Sequence, residues 1–173
     1  MSDQTYMLIL RILHIGFGVF WAGSVFSFVL FITKAVKASG PEGGKFMQQL
    51  GKTGYPIAVL IAALISILAG VLLIAKLSSG FQPAWFTTTY AQVLTTGGVL
   101  AIIAFIIGFT VNRPVAARIN AISSAMAKAG GPPTPEQIQE LGVLRKKLFA
   151  ASNIIAVLLV FVVLAMSIFR YVY

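Results

Sequence analysis

Four apolar runs, each long enough to cross a bilayer, occupy most of this chain and leave few folds open to it. They cover about 6–33, 55–77, 91–111 and 148–170. About 30 Å of hydrocarbon takes roughly 20 residues at 1.5 Å each. Backbone N–H and C=O groups in lipid have no water to bond, so each run must close its hydrogen bonds internally as a helix. The two-residue alternation of a membrane barrel is missing from all four. The expected fold is therefore all-α, an integral-membrane four-helix bundle forming a single domain over 1–173. The leader Met1-Ser-Asp-Gln-Thr5 has no basic residue, and the apolar run behind it is too long for a signal-peptide core. The first helix is thus expected to be retained.

Composition narrows the classes further. The chain is 58% hydrophobic and only 10% charged, far below the roughly 25% charge of a soluble domain. With no cysteine, disulfides, thiolate catalysis and Cys-ligated zinc or iron–sulfur sites are excluded. All four carboxylates, Asp3, Glu42, Glu136 and Glu140, fall outside the spans, which removes the acidic relay of a proton-coupled transporter. No P-loop, nucleophile elbow or zinc-protease helix is present.

The net charge of +9 is not spread evenly. Lys34, Lys37, Lys45 and Lys52 follow the first span, and Arg113, Arg118, Lys128, Arg145, Lys146 and Lys147 lie between the third and fourth. Arg11, Lys76 and Arg170 are the only other basic residues, and the connection 78–90 carries no charge. The positive-inside rule then places both termini outside and the two basic connections in the cytoplasm. No nucleic-acid recognition motif accompanies this charge, so its expected partner is anionic lipid at the cytoplasmic face.

Among the connections, Ser39-Gly-Pro-Glu-Gly-Gly44 is expected to end the first helix, with a short amphipathic piece around 45–50 leading into the second span. Residues 114–129 read as a helical extension that Gly130-Gly-Pro-Pro133 breaks. Thr134-Pro-Glu-Gln137 is a capping box with proline at the first helical position. The last helix should start there and run unbroken through the fourth span, giving a long cytoplasmic extension. Asn112-Arg113-Pro114 fits a kink or a helix end, and Asn153 a hydrogen bond between helices. Phe81, Trp85, Phe86 and Tyr90 crowd the uncharged loop, as an interfacial aromatic belt or a lid over an outward pocket.

His14, the single histidine, lies inside the first span, and an ionisable residue at that depth is a functional candidate. A neutral imidazole there is a haem or metal ligand, a proton carrier, or a packing residue whose ring N–H bonds another helix. Arg11, His14, Gly18, Trp21, Val25 and Phe28 recur at steps of three and four, so they share one face. On a cofactor reading Arg11 meets a propionate, Gly18 makes room for a macrocycle and Trp21 packs on its ring. On the plain reading Arg11 snorkels to headgroups and Gly18 admits a neighbouring helix. By depth His14 is level with Ala69-Gly70, Thr95-Thr-Gly-Gly98 and Met166. Thr95 or Thr96 would then orient the imidazole, and Met166 would supply a soft second ligand to haem or copper.

Leu13-His14, then Trp21, then Ala22-Gly23 resembles the opening helix of small bacterial membrane proteins. These include the copper-resistance D-like family, its uncharacterised four-helix relatives and the haem-binding protoporphyrinogen IX oxidases of the HemJ type. The resemblance implies that His14 is a haem or metal ligand. The oxidases carry further His and Lys in later helices, which this chain lacks, so the resemblance does not extend to protoporphyrinogen oxidation. The expected function is a haem b-binding, less readily copper-binding, protein of the bacterial inner membrane, redox or sensing, with a quinone or other redox partner. The alternative is a cofactor-free homo-oligomer packed through small-residue faces, acting as channel, transporter subunit or scaffold.

Overall fold

The computed structural model describes residues 3–172, and among them every regular element is helical. Helix α1 (Asp3–Ser27) runs through a π-bulge at Phe28–Ile32 into α2 (Thr33–Ala38). Then come α3 (Gly40–Lys52), α4 (Tyr55–Leu77) and α5 (Thr89–Ile107), which continues through a second π-bulge at Gly108–Asn112 into α6 (Arg113–Ala129). The last helix, α7, is Pro135–Ile168. Four stretches are long and apolar enough to cross a membrane: Asp3–Ala38, Tyr55–Leu77, Thr89–Ala129 and Pro135–Tyr171.

The packing follows from what lipid rewards. Lipid tails are as apolar as leucine, so large side chains gain little by turning inward, while small ones let helix backbones approach. Accordingly Ala62, Ala63, Ala101 and Ala104 line the centre around Trp21, Ile155 and Leu159. Val19, Phe31 and Ile57 stay outside, each more than 60% exposed. Helix α1 packs chiefly on α4 and α5 on α7, with lighter contact joining the two pairs. Both pairs are antiparallel. Tyr6 meets Lys76, His14 meets Ser66, and Tyr55 meets Ser24.

Helix α7 begins where its sequence says it should. Thr134 Oγ1 accepts from the Gln137 N–H at 3.3 Å, and Gln137 Oε1 accepts from the Thr134 N–H at 3.0 Å. Its 34 residues make a rod of about 51 Å, well beyond the bilayer core. The excess emerges at the basic end, where the Arg118 guanidinium bonds the Glu140 carboxylate at 2.7 Å and ties α6 to α7.

Two local expectations need correcting, and at a third one of two alternatives falls away. The break expected over 39–44 is confined to Ser39 and Gly40, whose φ of +54° suits glycine and turns the chain; Gly43 and Gly44 already lie inside α3. Gly43 is there because the backbone of Val36 leaves no space for a Cβ. At Asn112-Arg113-Pro114 the helix neither ends nor breaks. It widens into the π-bulge at Gly108–Asn112 and runs on into α6, with Pro114 two residues past the bulge; a proline and a π-bulge are both usual causes of a kink. Asn153 bonds Phe149 O on its own helix at 2.8 Å; the asparagine that reaches across is Asn112, whose Nδ2 donates to Ser152 Oγ at 3.1 Å.

Neither π-bulge was legible in the sequence, and both pack against α7. In the first, the Thr33 N–H bypasses Val29 O for Phe28 O. The Thr33 hydroxyl takes the carbonyl left over, at 2.8 Å, so no buried acceptor is abandoned.

Candidate functional site around His14

Helix α1 presents a half-buried His14 to α4, and the contact is reciprocal. His14 Nδ1 lies 2.8 Å from Ser66 O, and the Ser66 hydroxyl donates to His14 O at 3.0 Å. A carbonyl can only accept, so Nδ1 carries the proton. In the neutral ring the lone pair then belongs to Nε2.

Two glycines make this approach possible. A Cβ on Gly70 would stand 2.9 Å from His14 Cε1 and 3.0 Å from Nδ1, and a Cβ on Gly18 would stand 3.0 Å from Ser66 Oγ. Gly70 is four residues past Ser66, so its missing side chain uncovers the Ser66 carbonyl on the side from which the imidazole comes. The small residues on either side of the histidine thus serve the α1–α4 seam.

The other sequence candidates are distributed differently. Trp21 is 6% exposed and belongs to the alanine-rich centre. Arg11 is exposed and lines a shallow groove of about 340 Å³ with Asp3, Gln4, Met7 and Leu8 on its own helix. The Thr95 hydroxyl folds back to Ala91 O at 2.7 Å, and Thr96 is exposed. Met166 does share a layer with Thr95-Thr-Gly-Gly98, but its methyl lies 3.3 Å from where a Gly97 Cβ would stand, in the α5–α7 seam. Of the residues expected to surround His14, the structure brings Gly18 and Gly70 into its hydrogen-bonded unit.

Ser66 was the residue missed. It is the one side chain between Pro56 and Lys76 that carries a hydrogen-bonding group, and a lone hydroxyl in an apolar span is expected to bond a neighbouring helix. It also stands one turn from Gly70, on the same face. Among the described residues no group of three or more His, Cys, Asp or Glu could hold a metal ion. Comparison with other proteins assigns no identity: no family, no curated protein and no solved structure matches the chain.

Proposed function

We propose that this multi-pass protein binds haem b in the bacterial inner membrane, with His14 Nε2 as an axial ligand and a redox or sensing role. One observation carries the reading. The Nδ1 proton is held by a backbone carbonyl, the arrangement that fixes the tautomer and raises the basicity of liganding histidines. Bound haem would supply one-electron chemistry at its iron, tuned by ligand identity and burial. The chain's part is to hold the imidazole: Ser66 O orients it, Gly70 gives it access to that carbonyl, and Gly18 lets the Ser66 hydroxyl close the contact. Copper finds less support, because it wants several soft or imidazole ligands and Met166 faces Gly97 in the other helix pair. A quinone or protein redox partner would complete the electron path.

A cofactor-free reading has its own observation. The hydrogen bonds between His14 and Ser66 run in both directions and already form a complete clasp between α1 and α4, as a channel, transporter subunit or scaffold would need. Visible spectra of detergent-purified protein, oxidised and dithionite-reduced, separate the two. Haem binding predicts a Soret band that moves on reduction, vanishes in His14→Ala and survives in Ser66→Ala, since that variant keeps the carbonyl. Colourless protein after expression with ample haem would overturn the haem reading in favour of the clasp.

The orientation is proposed from charge. Ten of the thirteen basic residues lie in the connections at one end of the bundle, which puts that end in the cytoplasm and both termini outside. The lack of native cysteine makes the test clean. In spheroplasts, Gln82→Cys should react with a membrane-impermeant maleimide, and Lys128→Cys only after permeabilisation. The reverse pattern would invert the topology.

A further inference from the structure

The two π-bulges close their hydrogen bonds differently. In each, the N–H that follows the bulge reaches one residue further back than in an α-helix: Thr33 N–H goes to Phe28 O and Arg113 N–H to Gly108 O. The carbonyl passed over is Val29 O in the first bulge and Phe109 O in the second. Thr33 returns its hydroxyl to Val29 O at 2.8 Å. The second bulge has arginine at the matching position, followed by Pro114, which has no N–H to give. Phe109 O is therefore reached neither by its α-helical donor nor by its π-helical one. A helical carbonyl points along the axis toward the following turn, here the turn of Asn112 and Arg113.

That turn holds a second orphan. Asn112 Oδ1 is buried and has no hydrogen-bond partner, while Asn112 Nδ2 donates to Ser152 Oγ at 3.1 Å. Ser152 is 5% exposed, and among the described hydrogen bonds its own O–H finds no acceptor. Thr110 and Ser167, by contrast, each fold a hydroxyl onto a carbonyl one turn back at 2.7 Å. Buried polar groups are seldom left unpaired, in lipid least of all.

We propose that the second bulge binds one water molecule between α5 and α7. Two acceptors and one donor are open there, the complement of a single water. It donates to Phe109 O and Asn112 Oδ1 and accepts from the Ser152 hydroxyl. About three hydrogen bonds are usual for a buried water, and ordered water is one of the ways a helix broken at membrane depth recovers its lost bonds. A neutral ligand suits the site better than a cation. The Arg113 guanidinium already stands 5.2 Å from the centre of the Phe109 ring. None of the four carboxylates lies in α5, in its bulge or in α7 beyond Glu140. The site belongs to the α5–α7 pair and does not depend on any cofactor at His14.

Water-edited solid-state NMR of the full chain in bilayers tests it, by timing polarisation transfer from water protons to labelled carbons. Transfer to the Phe109 carbonyl carbon and to Asn112 Cγ should be severalfold faster than to the Val29 carbonyl carbon, whose oxygen is already satisfied. Arg113→Thr supplies the hydroxyl that Thr33 uses in the first bulge, so it should slow transfer at Phe109 to the Val29 rate. Arg113→Val has the same shape without the hydroxyl and should leave the fast transfer in place. Equal rates at Phe109 and Val29 in the wild type would overturn the proposal, because the Asn112 amide would then close the bulge by itself. So would identical behaviour of the two variants. A thermal midpoint raised by sodium or potassium over choline at equal ionic strength would also overturn it, by assigning the acceptors to a cation.

Discussion

A single added methyl at Gly43 is expected to open the corner between α2 and α3. The new Cβ would fall on the carbonyl oxygen of Val36, with the carbonyl carbon at 2.8 Å and Cα at 3.0 Å. These are backbone atoms, so no rotamer change relieves the contact. One helix must shift against the other. Overpacking of this kind costs about 1–3 kcal/mol and sometimes more, and Gly43→Ala should lower the thermal unfolding midpoint in detergent by an amount easily measured. Gly131→Ala is the control, because a Cβ there has nothing within 4 Å. If both variants melt together, the α2–α3 corner is not packed as described.

Gly70→Ala should be comparably damaging, for a reason that can be isolated. Its methyl would collide with the His14 ring at 2.9–3.0 Å, driving the imidazole off the Ser66 carbonyl. The expected loss is about 1–3 kcal/mol. In a His14→Ala background the obstacle is gone, so the same methyl should cost less than half as much, a coupling that a double-mutant cycle reads directly. Additive losses would mean that Gly70 matters to α4 for some reason other than the histidine. Should the protein bind haem, Gly70→Ala must also perturb the Soret band, since it attacks the group that orients the ligand.

Hydropathy and helix-capping chemistry carried the large features of this fold, because both act locally. The four spans, the start of α7 at Thr134 and the helical stretch after Asn112 could all be read from short windows of sequence. What could not be read depends on registry between helices. The π-bulge at Phe28–Ile32 shows no breaker residue of its own, while the one at Gly108–Asn112 begins at a glycine and lies two residues before Pro114; both lie against α7. His14 stood out because histidine is costly in lipid, and depth matching located Gly70 correctly beside it. It could not distinguish Thr95, which spends its hydroxyl on its own helix, from Ser66, which reaches across. Asn153 and Asn112 illustrate the same limit. Both are amides near the inner end of a span, and only the facing of each helix decides which one bridges.

The length of α7 also has a mechanical side. A continuous helix that carries the Leu159 packing centre at one level and the Glu140 tether to α6 at another is a single stiff shaft, with no loop to absorb a displacement between the two. Whatever pushes or binds the projecting segment around Pro135–Lys147 will therefore turn or tilt the helix inside the bundle as well. Compact domains grafted between Gly130 and Pro133 would sit at the head of that shaft, and their orientation would report on the packing within the membrane.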